Sequence, residues 1–381
     1  MATRESQSTK IDQPITMVVC VYAPYNTSGL FEAYKEEFLS LVRTAGIEYE
    51  CEMSCKIRST IRAVFLTKGK LEDVIELASE HKVERIIFSE RLTPLQERNI
   101  EELTQAIVVD REQLILEIFK KSAHTSEGKV QIAMAEIEFL KTRMSGKGIE
   151  YMQQSGLRGG KGPGETMKEK TRRYFAHQIH IAQRHLDILQ NTREMQRKKR
   201  LSTKIPLIAV IGYTNAGKSS LLNTMTKSAV LAEDKLFATL DTTTRELYLG
   251  ENKTIGSNQK VLMSDTVGFI SQLPPQLIKS FRSTLDEIRY AHLLLHVIDL
   301  ANPLWGHHIR VVKKTLQDLK ISVPMIYVFN KIDLVAPARL DMFRMTILDE
   351  YQPYVCINTK DKNGVKELRD LLENHSFTRE D

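Results

Sequence analysis

LIAVIGYTNAGKSSLLNTM runs from Leu207 to Met225. Its first residues, Leu207–Ile211, are apolar and have the length of a buried strand. Gly212-Tyr213-Thr214-Asn215-Ala216-Gly217-Lys218-Ser219 follows at once in the pattern G-x-x-x-x-G-K-S, and a helical pattern runs from Ser219 to Met225. Strand, glycine loop and helix in that order make a phosphate cradle. The glycines let backbone N–H groups close around phosphate oxygens, and the helix N-terminus adds a positive field. Lys218 is expected to reach the β- and γ-phosphates, and Ser219 to place its hydroxyl on a magnesium ion.

Two further motifs lie downstream. Asp265-Thr266-Val267-Gly268 follows the strand-like VLM. Asp265 is expected to hold magnesium, directly or through water, and the Gly268 N–H to sense the γ-phosphate. Asn330-Lys331-Ile332-Asp333 follows the strand-like MIYVF. Guanine offers paired donors at N1 and its 2-amino group, whereas adenine offers an acceptor at N1. The Asp333 carboxylate, an acceptor, therefore selects guanine and predicts GTP and GDP as ligands. Cys356-Ile357-Asn358-Thr359-Lys360 stands where a further base-contacting loop, usually Ser-Ala-Lys, is expected. Asn358 and Thr359 replace serine and alanine, so contacts there are expected from backbone.

Phe237-Ala238-Thr239-Leu240-Asp241-Thr242-Thr243-Thr244-Arg245 fills the interval in which a threonine completes the magnesium shell. Thr239, Thr242, Thr243 and Thr244 all qualify by position. Phe269 stands after Gly268, where many GTPases carry a glutamine that orients the attacking water. Phenylalanine cannot make that hydrogen bond. Intrinsic hydrolysis is then slow, or another group positions the water; alternatively Phe269 is a buried strand-end residue and hydrolysis is not the point.

The chain has 381 residues, which suggests two or three domains, and its 42% hydrophobic and 27% charged residues suit a soluble globular protein. No apolar run approaches the roughly 20 residues of a transmembrane helix. Met1 to Lys10 is polar, so export is not expected and the predicted location is cytoplasmic. Cys20, Cys51, Cys55 and Cys356 complete no zinc set of known spacing and read as reduced thiols.

The fold class read from these patterns is α/β, with an N-terminal α/β domain over 1–126, a helical hairpin over 127–200 and a C-terminal doubly wound P-loop GTPase domain over 205–375, Ras-like by the family resemblance that the motifs carry. In the first part, strand patterns at Ile15–Ala23, Ala63–Leu66, Glu84–Phe88 and Ala106–Asp110 alternate with helical patterns. Val130, Ala133, Ile137, Leu140 and Met144 recur at steps of three and four, as do Phe175, Ile179, Ala182, Leu186 and Leu189. Two such seams bury each other most simply as an antiparallel pair. Between them, 145–166 is rich in glycine and reads as a tip that cannot hold a helix. It carries Arg158 and Lys161, and the next helix carries Arg172 and Arg173. The net charge is only +6, yet this arm concentrates basic residues, which suits a polyanion; a solvated helix face is the plainer reading.

The motifs together resemble the HflX family of translation-associated GTPases. The residues that carry the likeness are GYTNAGKSS at 212–220, FATLDTTTR at 237–245, DTVGFI at 265–270, LPPQLIKSFRSTLDEI at 273–288 and NKID at 330–333. RGGKGPGET at 158–166, LTPLQERNIEE at 92–102 and VVDREQLILEIF at 108–119 extend it over nearly the whole chain. The resemblance implies GTP hydrolysis, binding to the large ribosomal subunit and its RNA, and splitting of stalled or idle ribosomes, with Arg158, Lys161, Arg172 and Arg173 on RNA. It implies that Thr239 is the switch threonine on magnesium, acting with Lys218 and Gly268 in catalysis. It also implies that Asn215 holds a potassium ion where the glutamine is missing. Thr242 departs from the family's usual proline. A large-subunit assembly GTPase and a GTP-dependent signalling module with a protein partner are the rival readings.

Overall fold

The computed structural model describes residues 13–26, 29–143, 167–202, 205–226, 236–237, 243–251, 258–266, 268–274, 277, 288–347, 350–361 and 363–377. It divides into two compact units, residues up to 26 with 34–114, and residues 27–33 with 115 onward. The tip at 145–166, with Arg158 and Lys161, lies outside the described residues, as do Ala238, Thr239, Leu240, Asp241, Thr242 and Val267.

The first unit is built on a four-stranded parallel sheet in the order β2-β1-β3-β4. Its strands are β1 (Thr16–Tyr22), β2 (Cys51–Lys56), β3 (Arg85–Phe88) and β4 (Ile107–Val109). Helices α1 (Phe31–Thr44), α2 (Lys68–Glu80) and α3 (Pro94–Thr104) connect them, and α4 (Arg111–Ser122) leads out. α3 starts where its sequence directs. Thr93 accepts from the Gln96 amide, the Gln96 side chain accepts from the Thr93 amide, and Pro94 occupies the first turn, where no N–H is needed. One expected strand is absent: Phe65 has φ +65°, and Ile61 and Phe65 close a small turn by an isolated antiparallel bridge. The strand beside β1 is β2 instead, whose Met53 and Cys55 alternate inward against exposed Glu52 and Ser54. Its six residues, CEMSCK, lack the β-branched run that marks β1.

Two long helices follow, α5 (Ser126–Arg143) and α6 (Met167–Ser202), and they pack on each other. Phe175 and Leu186 of α6 are buried as its pattern predicts. In α5 the expected register fails. Gln131, Ile132, Met134, Ala135 and Phe139 are buried, while Ala133 and Leu140 are exposed. α5 also meets α4 through Lys120, paired to Glu136 at 2.8 Å. Arg172 and Arg173 are exposed on α6.

The largest sheet has six strands in the order β10-β9-β8-β5-β7-β6. They are β5 (Leu207–Gly212), β6 (Thr243–Glu251), β7 (Asn258–Asp265), β8 (Leu293–Asp299), β9 (Met325–Asn330) and β10 (Tyr354–Cys356). The β5, β7, β8, β9 and β10 pairings are parallel, and β6 runs antiparallel to β7. Helices α7 (Lys218–Thr226), α8 (Trp305–Asp318), α9 (Pro337–Ile347) and α10 (Lys366–Glu373) accompany the sheet. Val210, Leu221, Leu222, Met263, Leu295, Val297 and Val328 lie in its core. β5, β7 and β9 end at Gly212, Asp265 and Asn330, so the parallel sheet brings all three motifs to its carboxyl edge, where open α/β sheets bind ligands.

Candidate functional site

The phosphate loop runs from the end of β5 into the first turn of α7. Gly217 has φ +94°, and a Cβ there would lie 2.2 Å from the Asn330 side-chain nitrogen. Glycine is required at this point by both conformation and space. Asn330, fully buried, donates to the Ala216 carbonyl at 2.9 Å and accepts from the Thr359 amide at 3.3 Å. Thr224 of α7 donates its hydroxyl to the Thr359 carbonyl at 2.9 Å. The segment Asn358–Lys360 is thus bound to both the base motif and the phosphate-loop helix. The Asn358 carboxamide oxygen accepts from the Lys360 amide at 3.0 Å, which closes that turn. Asp333 and Lys360 face each other at 3.7 Å, and Lys331 pairs with Asp299 at 2.7 Å. Ile332 starts the short 3-10 turn that carries Asp333.

Lys218 is 6% exposed, and its ammonium donates to the Tyr213 carbonyl at 2.8 Å. Burial pushes this lysine down to about 8, against the opposing pull of the Asp265 carboxylate. A cation held in so dry a place favours an anion beside it. Ser219 donates its hydroxyl to Asp265 at 2.6 Å, and Asp265 is fully buried. A hydroxyl and a carboxylate brought together at a phosphate loop form a hard oxygen donor set, which fits magnesium. Behind the loop, burial pushes His296 of β8 down to about 3, with Lys313, Lys218 and His308 adding to the shift, so its imidazole stays neutral.

Gly268 lies over this lysine. A Cβ there would stand 2.8 Å from the Thr214 methyl and 3.0 Å from Lys218 Nζ. Phe269 is 4% exposed, so its ring belongs to the interior. Its amide donates to the Gly212 carbonyl at 3.1 Å, and its carbonyl accepts from the Thr214 amide at 2.8 Å. Thr266 turns its hydroxyl inward to the Val210 carbonyl at 2.7 Å, so its side chain supports the sheet. Asn215 is exposed at φ +60°. Phe237 is buried with its ring 4.4 Å from that of Phe119. Thr243 and Thr244 begin β6, where Thr243 pairs with Asp265 in register and Thr244 with Ser264.

One network was not legible in any motif. The Tyr213 hydroxyl accepts from the Ser271 amide at 2.7 Å and bonds the Ser271 hydroxyl at 2.8 Å. The Tyr213 ring stacks on His308 at 3.7 Å, and Ser271 Oγ lies 3.2 Å from His307 Nε2. The residues just after Gly268 are thereby fastened to the phosphate loop. No spacing in the sequence links residues 213, 271 and 307.

Residues 32–120 match the family described as GTP-binding GTPase N-terminal, residues 122–200 that described as GTP-binding GTPase Middle Region, and residues 207–331 that described as 50S ribosome-binding GTPase. A GTPase HflX from Caldanaerobacter subterraneus subsp. tengcongensis is 39% identical over 342 residues, 90% of this chain and 76% of that protein. The chain belongs to the HflX family of GTPases. The Escherichia coli GTPase HflX is 38% identical over 301 residues, 79% of this chain and 69% of that protein. The Chlamydia pneumoniae GTPase HflX is 35% identical over 367 residues, 95% of this chain and 76% of that protein. Among solved structures, a GTP-binding protein from Sulfolobus solfataricus in complex with GDP is 22% identical, covers 94% of this chain and 97% of its own, and has a TM-score of 0.45. As an HflX-family protein, this chain binds guanine nucleotide and hydrolyses GTP. Among the described residues, no helix is long and apolar enough to cross a membrane.

Proposed function

We propose that this GTPase binds the large ribosomal subunit in a GTP-dependent way and splits or rescues stalled or idle ribosomes. The observation that carries the reading is the match of residues 207–331 to the 50S ribosome-binding GTPase family. α6 supports it with Arg172 and Arg173, exposed on consecutive positions of a helix that follows the basic tip. Contacts from such residues to RNA phosphates release counterions, so binding should weaken steeply with salt.

Within the nucleotide site, the phosphate loop from Gly212 to Ser219 holds the phosphates, and Lys218 meets the β- and γ-groups. Ser219 and Asp265 hold magnesium with Thr239, and the ion neutralises charge on the phosphates when bound. Gly268 senses the γ-phosphate through its backbone N–H. Asp333 reads guanine, with Asn330 fixing its loop and Asn358–Lys360 closing the far side of the base. Asn215, exposed at the loop's bend, is the candidate potassium ligand.

Sedimentation of mature ribosomes tests the functional reading. With GTP, the protein should shift them towards free subunits. Deleting residues 156–164 should abolish that shift while GTP binding stays intact, since the nucleotide site is built after residue 205. Binding to immature large-subunit particles alone would favour an assembly role instead. A tip deletion that splits ribosomes as well as the intact protein would reduce the tip to a connector.

A further inference from the structure

GTP hydrolysis needs an oriented water, and the residue that orients it in many GTPases is replaced here by Phe269. The Phe269 ring is buried and its backbone is committed to Gly212 and Thr214. Another side chain lies in the right place. Thr214 is 6% exposed, and its hydroxyl oxygen is buried without a hydrogen-bond partner among the described residues. Most buried hydroxyls are bonded, so one that is not, inside a binding site, marks a place where a ligand group belongs.

The surroundings identify that group. The Thr214 amide is fixed on the Phe269 carbonyl at 2.8 Å. The Thr214 methyl and Lys218 Nζ both crowd the position where Gly268 would carry a Cβ, at 2.8 and 3.0 Å. Thr214 therefore stands where the lysine for the terminal phosphate meets the glycine that senses it. At 6% exposure the side chain has little room to turn before any nucleotide arrives.

We propose that the Thr214 hydroxyl positions the attacking water in GTP hydrolysis. It accepts a hydrogen bond from the water and donates one to a γ-phosphate oxygen. It takes no proton itself. The water oxygen bonds to the γ-phosphorus, the bond to the β–γ bridging oxygen breaks, GDP leaves with that electron pair, and the water's proton goes to the phosphate. The inference rests on the phosphate loop holding GTP as set out above.

Single-turnover hydrolysis of saturating GTP, with the affinity for a fluorescent non-hydrolysable GTP analogue measured in parallel, tests it on the full chain. Thr214→Val keeps the shape and removes the hydroxyl. It should slow the chemical step by about tenfold or more, with analogue affinity within about threefold of wild type, the split expected when an interaction matters mainly in the transition state. Thr214→Ser, which keeps the hydroxyl, should restore most of the rate. A wild-type rate in Thr214→Val, or equal losses in the valine and serine variants, would overturn the inference. Lys218→Ala separates this from failure of the site itself. If that variant keeps normal analogue affinity, the loop assignment falls and this inference falls with it; if it loses affinity while Thr214→Val turns over normally, only the role of Thr214 falls.

Discussion

Asn330 donates its side-chain amide to the carbonyl oxygen of Ala216 at 2.9 Å, which joins the Asn330–Asp333 motif directly to the phosphate loop. The same side chain holds the Thr359 amide, so one buried residue ties together three loops from the ends of different elements. Asn330→Ala would leave a buried carbonyl and an amide unmatched, at a cost of about 1–3 kcal/mol. Affinities for GTP and GDP should fall together, and chemical denaturation should show the reduced stability. An effect confined to one nucleotide would mean that the link is not what shapes the pocket.

Asp333 faces Lys360 at 3.7 Å in a pair whose lysine side chain is 74% exposed, so the pair adds little to stability. In the proposed site the Asp333 carboxylate reads the base. Asp333→Asn exchanges an acceptor for a donor and should move preference from GTP towards xanthosine triphosphate, with the fold unchanged. Competition between the two nucleotides checks this. An unaltered preference for GTP would show that Asp333 does not read the base.

The 2.6 Å contact between Ser219 and Asp265 places a hydroxyl and a carboxylate where one ion can meet both. Ser219→Ala should bind GTP more weakly in excess magnesium and should lose less affinity than wild type when the metal is chelated. Titration of nucleotide with and without a chelator measures both. Identical magnesium dependence in the two proteins would remove Ser219 from the metal site.

Burial pushes the Asp110 carboxyl up to about 7, against the Leu92 and Gln113 amides that donate to it at 3.0 and 2.9 Å. In the unfolded chain the value returns to about 4. The folded form thus takes up a proton more readily, and stability should fall as pH rises from about 4 to about 7, then level off. Asp110→Asn removes this titration. Thermal unfolding of wild type and variant at pH 5 and pH 7.5 should show a smaller difference between the two pH values in the variant. Equal differences would mean that Asp110 is charged throughout.

Motifs that carry their own geometry are legible in the sequence. G-x-x-x-x-G-K-S demands a strand before it and a helix after it, and β5 and α7 supply them. Asn358-Thr359-Lys360 lacks the usual residues, yet Thr359 is placed through its backbone amide and carbonyl. Elements shaped by tertiary partners are harder to read. β6 begins at Thr243 inside a threonine-rich stretch whose hydroxyls suit a metal as well as a strand, and only its pairing with β7 decides. In α5 the buried face runs through Gln131, Ala135 and Phe139, not Ala133 and Leu140, so periodicity points to the wrong face. The Tyr213–Ser271 hydrogen bond joins residues far apart in the chain, and such a bond leaves no trace in local pattern.

Co-sedimentation of the purified full chain with isolated large ribosomal subunits, compared between a non-hydrolysable GTP analogue and GDP, tests whether nucleotide controls binding to the large subunit. The protein should travel with the large subunit in the analogue and much less in GDP. Reversing Arg172 and Arg173 to glutamate should weaken this binding and flatten its salt dependence, by up to about one unit of log–log slope for each phosphate no longer neutralised. Protein that stays at the top of the gradient with either nucleotide, or that binds equally well with both, would contradict it.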